Sequence, residues 1–319
     1  MTAHDRRTRA PVFESQTRVT IALVHSDVSP WARAALDHVA AAAVGGPLDP
    51  SVSVTINFHP ERRIGEDTVL RRIGREGIYR SQFETGISNG GLTATPGGDR
   101  WKWEERIFGG AYDKAPIAER PRYGALNHRR SSLGAAPRFG SAHLRLRAGV
   151  LDRTTFSFPD SVLDPHDFAT AQHFDLLRLA DEFDRVARTD QMEATEGGQL
   201  DDYIEAHVHG VVDLTRDVEA LVLDPAFQGT EIEEQAETLG VAVEWHEGRR
   251  LLLVELDRHP HFRGPHIVAV GHRVAEHDLI DAAVIGRAAA RELESPDDLK
   301  RLWHCVARFG VPTTSLSGP

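Results

Sequence analysis

Three stretches of strict alternation constrain this chain more than anything else in it. In "SVSVTINFH" Val52, Val54, Ile56 and Phe58 fall on one side and Ser53, Thr55, Asn57 and His59 on the other. "RFGSAHLRLR" sets Ser141, His143 and Arg145 opposite small or apolar residues, and "YIEAHVHG" does the same with Glu205, His207 and His209. A period of two belongs to a β-strand with one face in a core. Three such strands predict a sheet whose second face either meets solvent or gathers a serine, several histidines and a carboxylate in one place.

Helical signals flank these strands. "SPWARAALDHVAAAAVGG" has Ser29 to cap a helix, Pro30 in its first turn and Gly45 and Gly46 to stop it. "EDTVLRRIGRE", "DRWKWEERIF" and residues 166–188 read as helices, and "RTTFSFPDS" as a strand. "YIEAHVHGVVDL" and "DVEALVLDP" read as neighbouring strands joined by a turn at "TRD", and "VAVEWH" with "RRLLLVEL" as a hairpin about Gly248. "TDQMEATEGGQLDD" reads as a loop, and the chain after residue 257 as mostly helix. The predicted fold is α+β: a mixed, mainly antiparallel sheet over residues 51–256, an N-terminal segment 1–50 with one helix, and a helical extension 257–319.

Composition narrows the function. With 40% hydrophobic and 27% charged residues the 319-residue chain is expected to fold around a sizeable core. Acidic side chains number 48 against 37 basic ones, a formal charge of -11, which argues against a broad nucleic-acid surface. The single cysteine, Cys305, excludes an internal disulfide and thiolate-rich zinc sites and fits a reducing cytoplasm. "VTIALVHSD" is too short for a signal core and no run is long enough for a membrane span. The phosphate-loop, zinc-helix and nucleophile-elbow motifs are absent. Among 17 histidines, His207 and His209 at i, i+2 could share a metal with His59 or His143, which would make a metal-dependent hydrolase or oxygenase. Glu219, among apolar neighbours, and His246, at a turn, read as structural, and Trp303 and Cys305 sit at core spacing on a helix.

The blocks "VTINFHPERR", "GIYRSQFETGISNGGLTATPGGDRWKWE", "RPRYGALN", "GAAPRFGSAHLRLR" and "DDYIEAHVHG" resemble a bacterial family of unknown function from about residue 50 onward. Their order is also similar to that of the ADP-ribosyltransferase superfamily, which cleaves the nicotinamide–ribose bond of NAD. That resemblance implies a first motif position at His59, Arg62 or Arg80, a serine position at Ser141, and the essential carboxylate at Glu205. It implies NAD as substrate and no metal. Arg80 and Ser81 in "YRSQFETGISNGG" would meet phosphate or ribose, with Gln82 or Glu84 orienting a hydroxyl, and Tyr123 would stack on nicotinamide. The acceptor of ADP-ribose stays open, protein, nucleic acid, small molecule or water. A non-catalytic nucleotide-binding module is the third reading.

Overall fold

A computed structural model describes residues 28–86, 93–189 and 200–316. Its centre is one eight-stranded sheet: β1 (Val54–Phe58), β2 (Arg122–Leu126), β3 (Ala142–Leu146), β4 (Thr154–Phe158), β5 (Asp167–Thr170), β6 (Glu205–Val208), β7 (Val218–Leu223) and β8 (Ala242–Trp245). They lie in the order β8-β7-β3-β1-β2-β6-β4-β5, and every neighbouring pair is antiparallel except β7 with β8. The fold is thus α+β with a mainly antiparallel sheet. The principal helices are α1 (Pro30–Ala40), α2 (Val69–Glu76), α3 (Asp99–Ile107), α4 (Leu176–Thr189), α5 (Pro265–Val274), α6 (Ala282–Ala290) and α7 (Pro296–Phe309). None of the helices is long and apolar enough to cross a membrane among the described residues.

The alternation does what its period requires. Val54, Ile56, Phe58, Leu144, Phe156 and Leu221 are buried in one hydrophobic cluster that continues into Leu299, Leu302 and Val306 of α7. Each such side chain contributes roughly 1.5–3 kcal/mol by leaving water. Directly opposed residues of antiparallel strands share a face, so Asn57 lies beside His143, and Thr55, Ala125, Glu205 and Ser157 follow one another across four strands. The polar residues of the three alternating stretches therefore do share one face.

That face is covered rather than solvated. Asn57 Nδ2 donates to the carbonyls of Leu133 (2.8 Å) and Gly140 (3.3 Å), while Thr55 Oγ1 accepts from the Ala135 amide at 2.9 Å. These bonds staple the irregular segment 131–140 across β1. The approach is so close that a Cβ on Gly140 would lie 1.9 Å from the Phe58 carbonyl carbon, which only glycine avoids. Trp303 Nε1 on α7 donates to the Pro137 carbonyl at 2.8 Å and holds the segment from outside.

Several sequence expectations change. "YIEAHVHGVVDL" and "DVEALVLDP" are not sheet neighbours: β6 pairs with β2 and β4, β7 with β3 and β8, and "TRD" lies in a short helix, Leu214–Asp217. Among the described residues β8 pairs only with β7, in parallel, and Leu251–Leu252 pairs with Leu279–Ile280 instead of β8, so "WHEGRR" is not a hairpin turn. "LLLVEL" supplies only two strand residues, paired with Leu279–Ile280, before a helical turn at Leu253–Leu256, because an apolar run without alternation fits either state. Residues 166–188 open with β5 before α4 begins. Residues 87–92 of the glycine-rich passage and 190–199 of the expected loop lie outside the described residues.

Candidate functional site

Helix α2 stops at Gly77, whose φ of +68° is the left-handed cap that glycine adopts without strain, and the chain turns directly into Ile78–Tyr79. That turn forms one wall of a cleft of about 1020 Å³, counted out to its mouth, whose floor is the covered face of β1, β2 and β6. Of the residues singled out in the sequence, Asn57, His59, Arg62, Arg80, Gln82, Tyr123 and Glu205 line it.

Glu205 is 3% exposed and is held from three sides. His207 Nε2 approaches its Oε1 at 3.0 Å, Ser161 Oγ donates to Oε2 at 2.9 Å, and Arg100 Nη1 lies 3.5 Å from Oε1. Burial pushes the carboxyl up, but the His207 hydrogen bond, the Arg100 charge and the Ser161 hydroxyl outweigh it, so its pKa lies below the ordinary value. Glu205 is an anion at neutral pH. Arg100 also donates to Ser161 Oγ at 2.8 Å and stands 4.1 Å over the Tyr123 ring. Burial opposes its charge; Tyr123, Glu205, Asp160 and Glu104 together raise its pKa.

Behind Glu205 a chain of hydrogen bonds runs into the protein. A carboxylate only accepts, so His207 Nε2 donates to it, and on the neutral ring His207 Nδ1 accepts from Thr155 Oγ1 (3.1 Å). Thr155 Oγ1 in turn accepts from His209 Nε2 (3.0 Å), and His209 Nδ1 accepts from the Tyr112 hydroxyl (2.7 Å). His209 is fully buried, and burial, joined by the Arg153 charge, lowers its pKa well below the ordinary value. Both histidines are thus engaged along the strand face. His59 lies elsewhere, bonded to Glu61 Oε1 (3.2 Å) and edge-on to Trp303, and buried His143 sits near His246, its pKa lowered to about 3 by burial and by the charges of His246 and Arg145. Among the described residues no three His, Cys, Asp or Glu side chains are grouped to hold a metal, and His59, His143, His207 and His209 do not converge.

The remaining expectations are placed as follows. Arg80 bridges Glu76 Oε2 (2.5 Å) and Glu84 Oε1 (3.0 Å) at the cleft wall. Ser81 is buried as the cap of a short helix, Gln82–Thr85, accepting from the Glu84 amide, and is not among the lining residues. Ser141 is also buried outside the lining, its carbonyl bonded to His246 Nε2. Gln82 lines the cleft with Oε1 unpartnered, whereas Glu84 is taken up by Ser81, Arg80 and Arg122. Tyr123 has Arg100 on its ring face, His207 against its ring at 5.2 Å and its hydroxyl on Glu104 Oε1 (2.8 Å). Glu219 is exposed and reaches Arg145, and Cys305 is buried, its thiol pushed up to about 12 by burial.

Three contributors were not singled out in the sequence. Arg100 and Ser161 come from "GGDRW" and "FPDSV", remote from β6, and only tertiary placement brings them to Glu205. Tyr79 lines the cleft beside Phe58, and its hydroxyl pKa is raised to about 12 by burial. An aromatic directly after a helix-stopping Gly-X pair was the signal available for it.

A family model described as "Protein of unknown function (DUF3626)" matches residues 53–187 and 176–309. The chain belongs to the DUF3626 family. No curated protein matches it. Every cleft-lining residue falls inside the DUF3626 match.

Proposed function

We propose that this DUF3626 protein is an NAD-consuming enzyme of the ADP-ribosyltransferase type, with an ADP-ribosyltransferase-like core, which cleaves the nicotinamide–ribose bond and passes ADP-ribose to an acceptor. The observation that carries the proposal is Glu205: a buried, ionised carboxylate at the floor of a cleft that also presents His59, Arg62 and Arg80. Departure of nicotinamide leaves positive charge on the ribose, as in glycoside hydrolysis, and a fixed anion lowers the energy of that state. Three fixed contacts, from His207, Ser161 and Arg100, spare Glu205 the cost of reorienting as charge develops. Arg62 and Arg80 have the chemistry to meet a pyrophosphate. Tyr79 offers the cleft an aromatic wall, and Tyr123, occupied by Arg100, His207 and Glu104, is assigned to orienting Arg100 instead of stacking on nicotinamide.

The test is nicotinamide release from NAD by the purified chain and by Glu205→Gln. Wild-type release that falls about 10²-fold or more in the variant supports the reading, the scale expected when one electrostatic stabiliser is removed. Release equal in both proteins would refute the role of Glu205. NAD binding without release in the presence of protein, nucleic-acid and small-molecule acceptors would move the protein to the nucleotide-binding module.

A further inference from the structure

Next to the cleft, and sharing His59, Arg62 and Phe139 with it, lies a second, open basin of about 1300 Å³ counted out to its mouth. Its walls come from residues 59–63, Arg138–Phe139, and helices α6 and α7. Four cations line it: Arg62, Arg63, Arg138 and Lys300. Three carboxylates do so as well, but Glu61 is bonded to His59, Glu294 is bonded to Arg273, and Glu292 is exposed. Arg138 is partly neutralised by Asp201 and by Asp160 at 3.6 Å, although its Nε has no partner.

Lys300 differs from its neighbours. It is half-buried and, among the described residues, makes no hydrogen bond or ion pair. The carboxylate three residues before it, Asp297, is bonded to Arg301 at 2.9 Å. Burial lowers the Lys300 pKa, and Arg138, Arg62 and Arg301 lower it further against the opposing pull of Asp297. An ammonium kept in a concavity beside other cations, with its three donors unanswered, is a place where an anion relieves both desolvation and repulsion. The rest of the basin is apolar, with Phe139, Ile285, Ala289, Ala290 and Leu299 in its wall. Such a surface suits a flat organic group attached to the anion.

We infer that this basin is a binding site for a phosphate ester that carries a ring system, the nucleoside-phosphate class, with Lys300 as the principal phosphate contact. Such a ligand has two sources. It is the far half of a dinucleotide seated in the adjoining cleft, which rests on the function proposed above, or it is a separate molecule.

The experiment is titration calorimetry of the full chain with ADP, inorganic pyrophosphate and nicotinamide riboside, repeated with Lys300→Ala and Lys300→Arg. ADP and pyrophosphate are expected to bind the wild type and to lose tenfold or more in affinity in Lys300→Ala. Lys300→Arg, which keeps the charge, should recover part of that loss. Nicotinamide riboside, which has no phosphate, should respond identically to all three proteins. Thermal melting shows that the variants are folded. Competition between ADP and NAD assigns the basin to the far half of the dinucleotide, and simultaneous binding assigns it to a separate ligand. ADP and pyrophosphate that fail to bind at millimolar concentration, or that bind wild type and Lys300→Ala alike, overturn the inference. Lys300-dependent ADP binding without nicotinamide release would leave the basin and remove the proposed reaction. Release with Lys300-independent ADP binding would do the reverse.

Discussion

Replacing Arg100 by methionine keeps much of the side-chain length and removes the charge beside Glu205. Both residues are 3% exposed, with Nη1 and Oε1 3.5 Å apart. At an effective dielectric of about 20 the Coulomb attraction over that separation is roughly 5 kcal/mol. Desolvation has already consumed part of it, so the expected loss of folding stability is the ~3–5 kcal/mol typical of removing one member of a buried pair. Much of that loss is the penalty for the carboxylate left behind. In a Glu205→Gln background the same Arg100→Met change should therefore cost about 2 kcal/mol less. The pH dependence has a definite sign. With Arg100 present, Glu205 titrates below its unfolded value, so its contribution is present above about pH 4.5 and is lost as pH falls through the lowered folded value. Without Arg100 burial gains weight, the folded pKa rises, and the penalty of the substitution grows with increasing pH. Urea unfolding of the four proteins at pH 5 and pH 8, followed by circular dichroism, measures both quantities. Additivity of the two substitutions within about 0.5 kcal/mol would refute the coupling.

Other substitutions probe separate parts of the same reasoning. Thr155→Val removes two hydrogen bonds and strands ring nitrogens of His207 and His209, so unfolding free energy should fall by about 2–3 kcal/mol while Thr155→Ser stays near wild type; equal stability of the two variants would show that the hydroxyl chain is not made. Asp224 is fully buried and its pKa is raised to about 7, chiefly by burial and also by Asp281 and Glu61, so its protonation stabilises the fold at low pH and that stabilisation is lost as pH rises from about 4 through 7. Asp224→Asn, measured against wild type by urea unfolding, should gain relative stability by roughly 3 kcal/mol between pH 5 and pH 8, and a difference independent of pH would place the titration elsewhere.

The polar faces were readable in the sequence because a period of two leaves a strand no choice of side. Alternation alone places Asn57, His143, Glu205 and His207 on strand faces, and the register of β1, β2, β3 and β6 joins those faces. The cover over them was not readable. Segment 131–140 has no periodicity of its own and is held by tertiary bonds to Asn57, Thr55 and Trp303. The partners of Glu205 were hidden for a related reason, since Arg100 and Ser161 lie in the sequence 105 and 44 positions away, on elements that carry no pattern pointing to β6. Ser81 and Ser141 carried a substrate-binding expectation from resemblance, and both hydroxyls lie outside the cleft lining.

The bonds from Tyr112 through His209, Thr155 and His207 to Glu205 all point the same way, each atom's role fixed by the next. If Glu205 takes up a proton and donates it back to His207 Nε2, every later link must reverse until the Tyr112 oxygen accepts where it had donated. The charge state of the carboxylate is thereby copied into the hydroxyl orientation of a tyrosine four links away. Tyr112 is a distant readout of the cleft, and a phenylalanine there would erase the record without touching anything that binds in it.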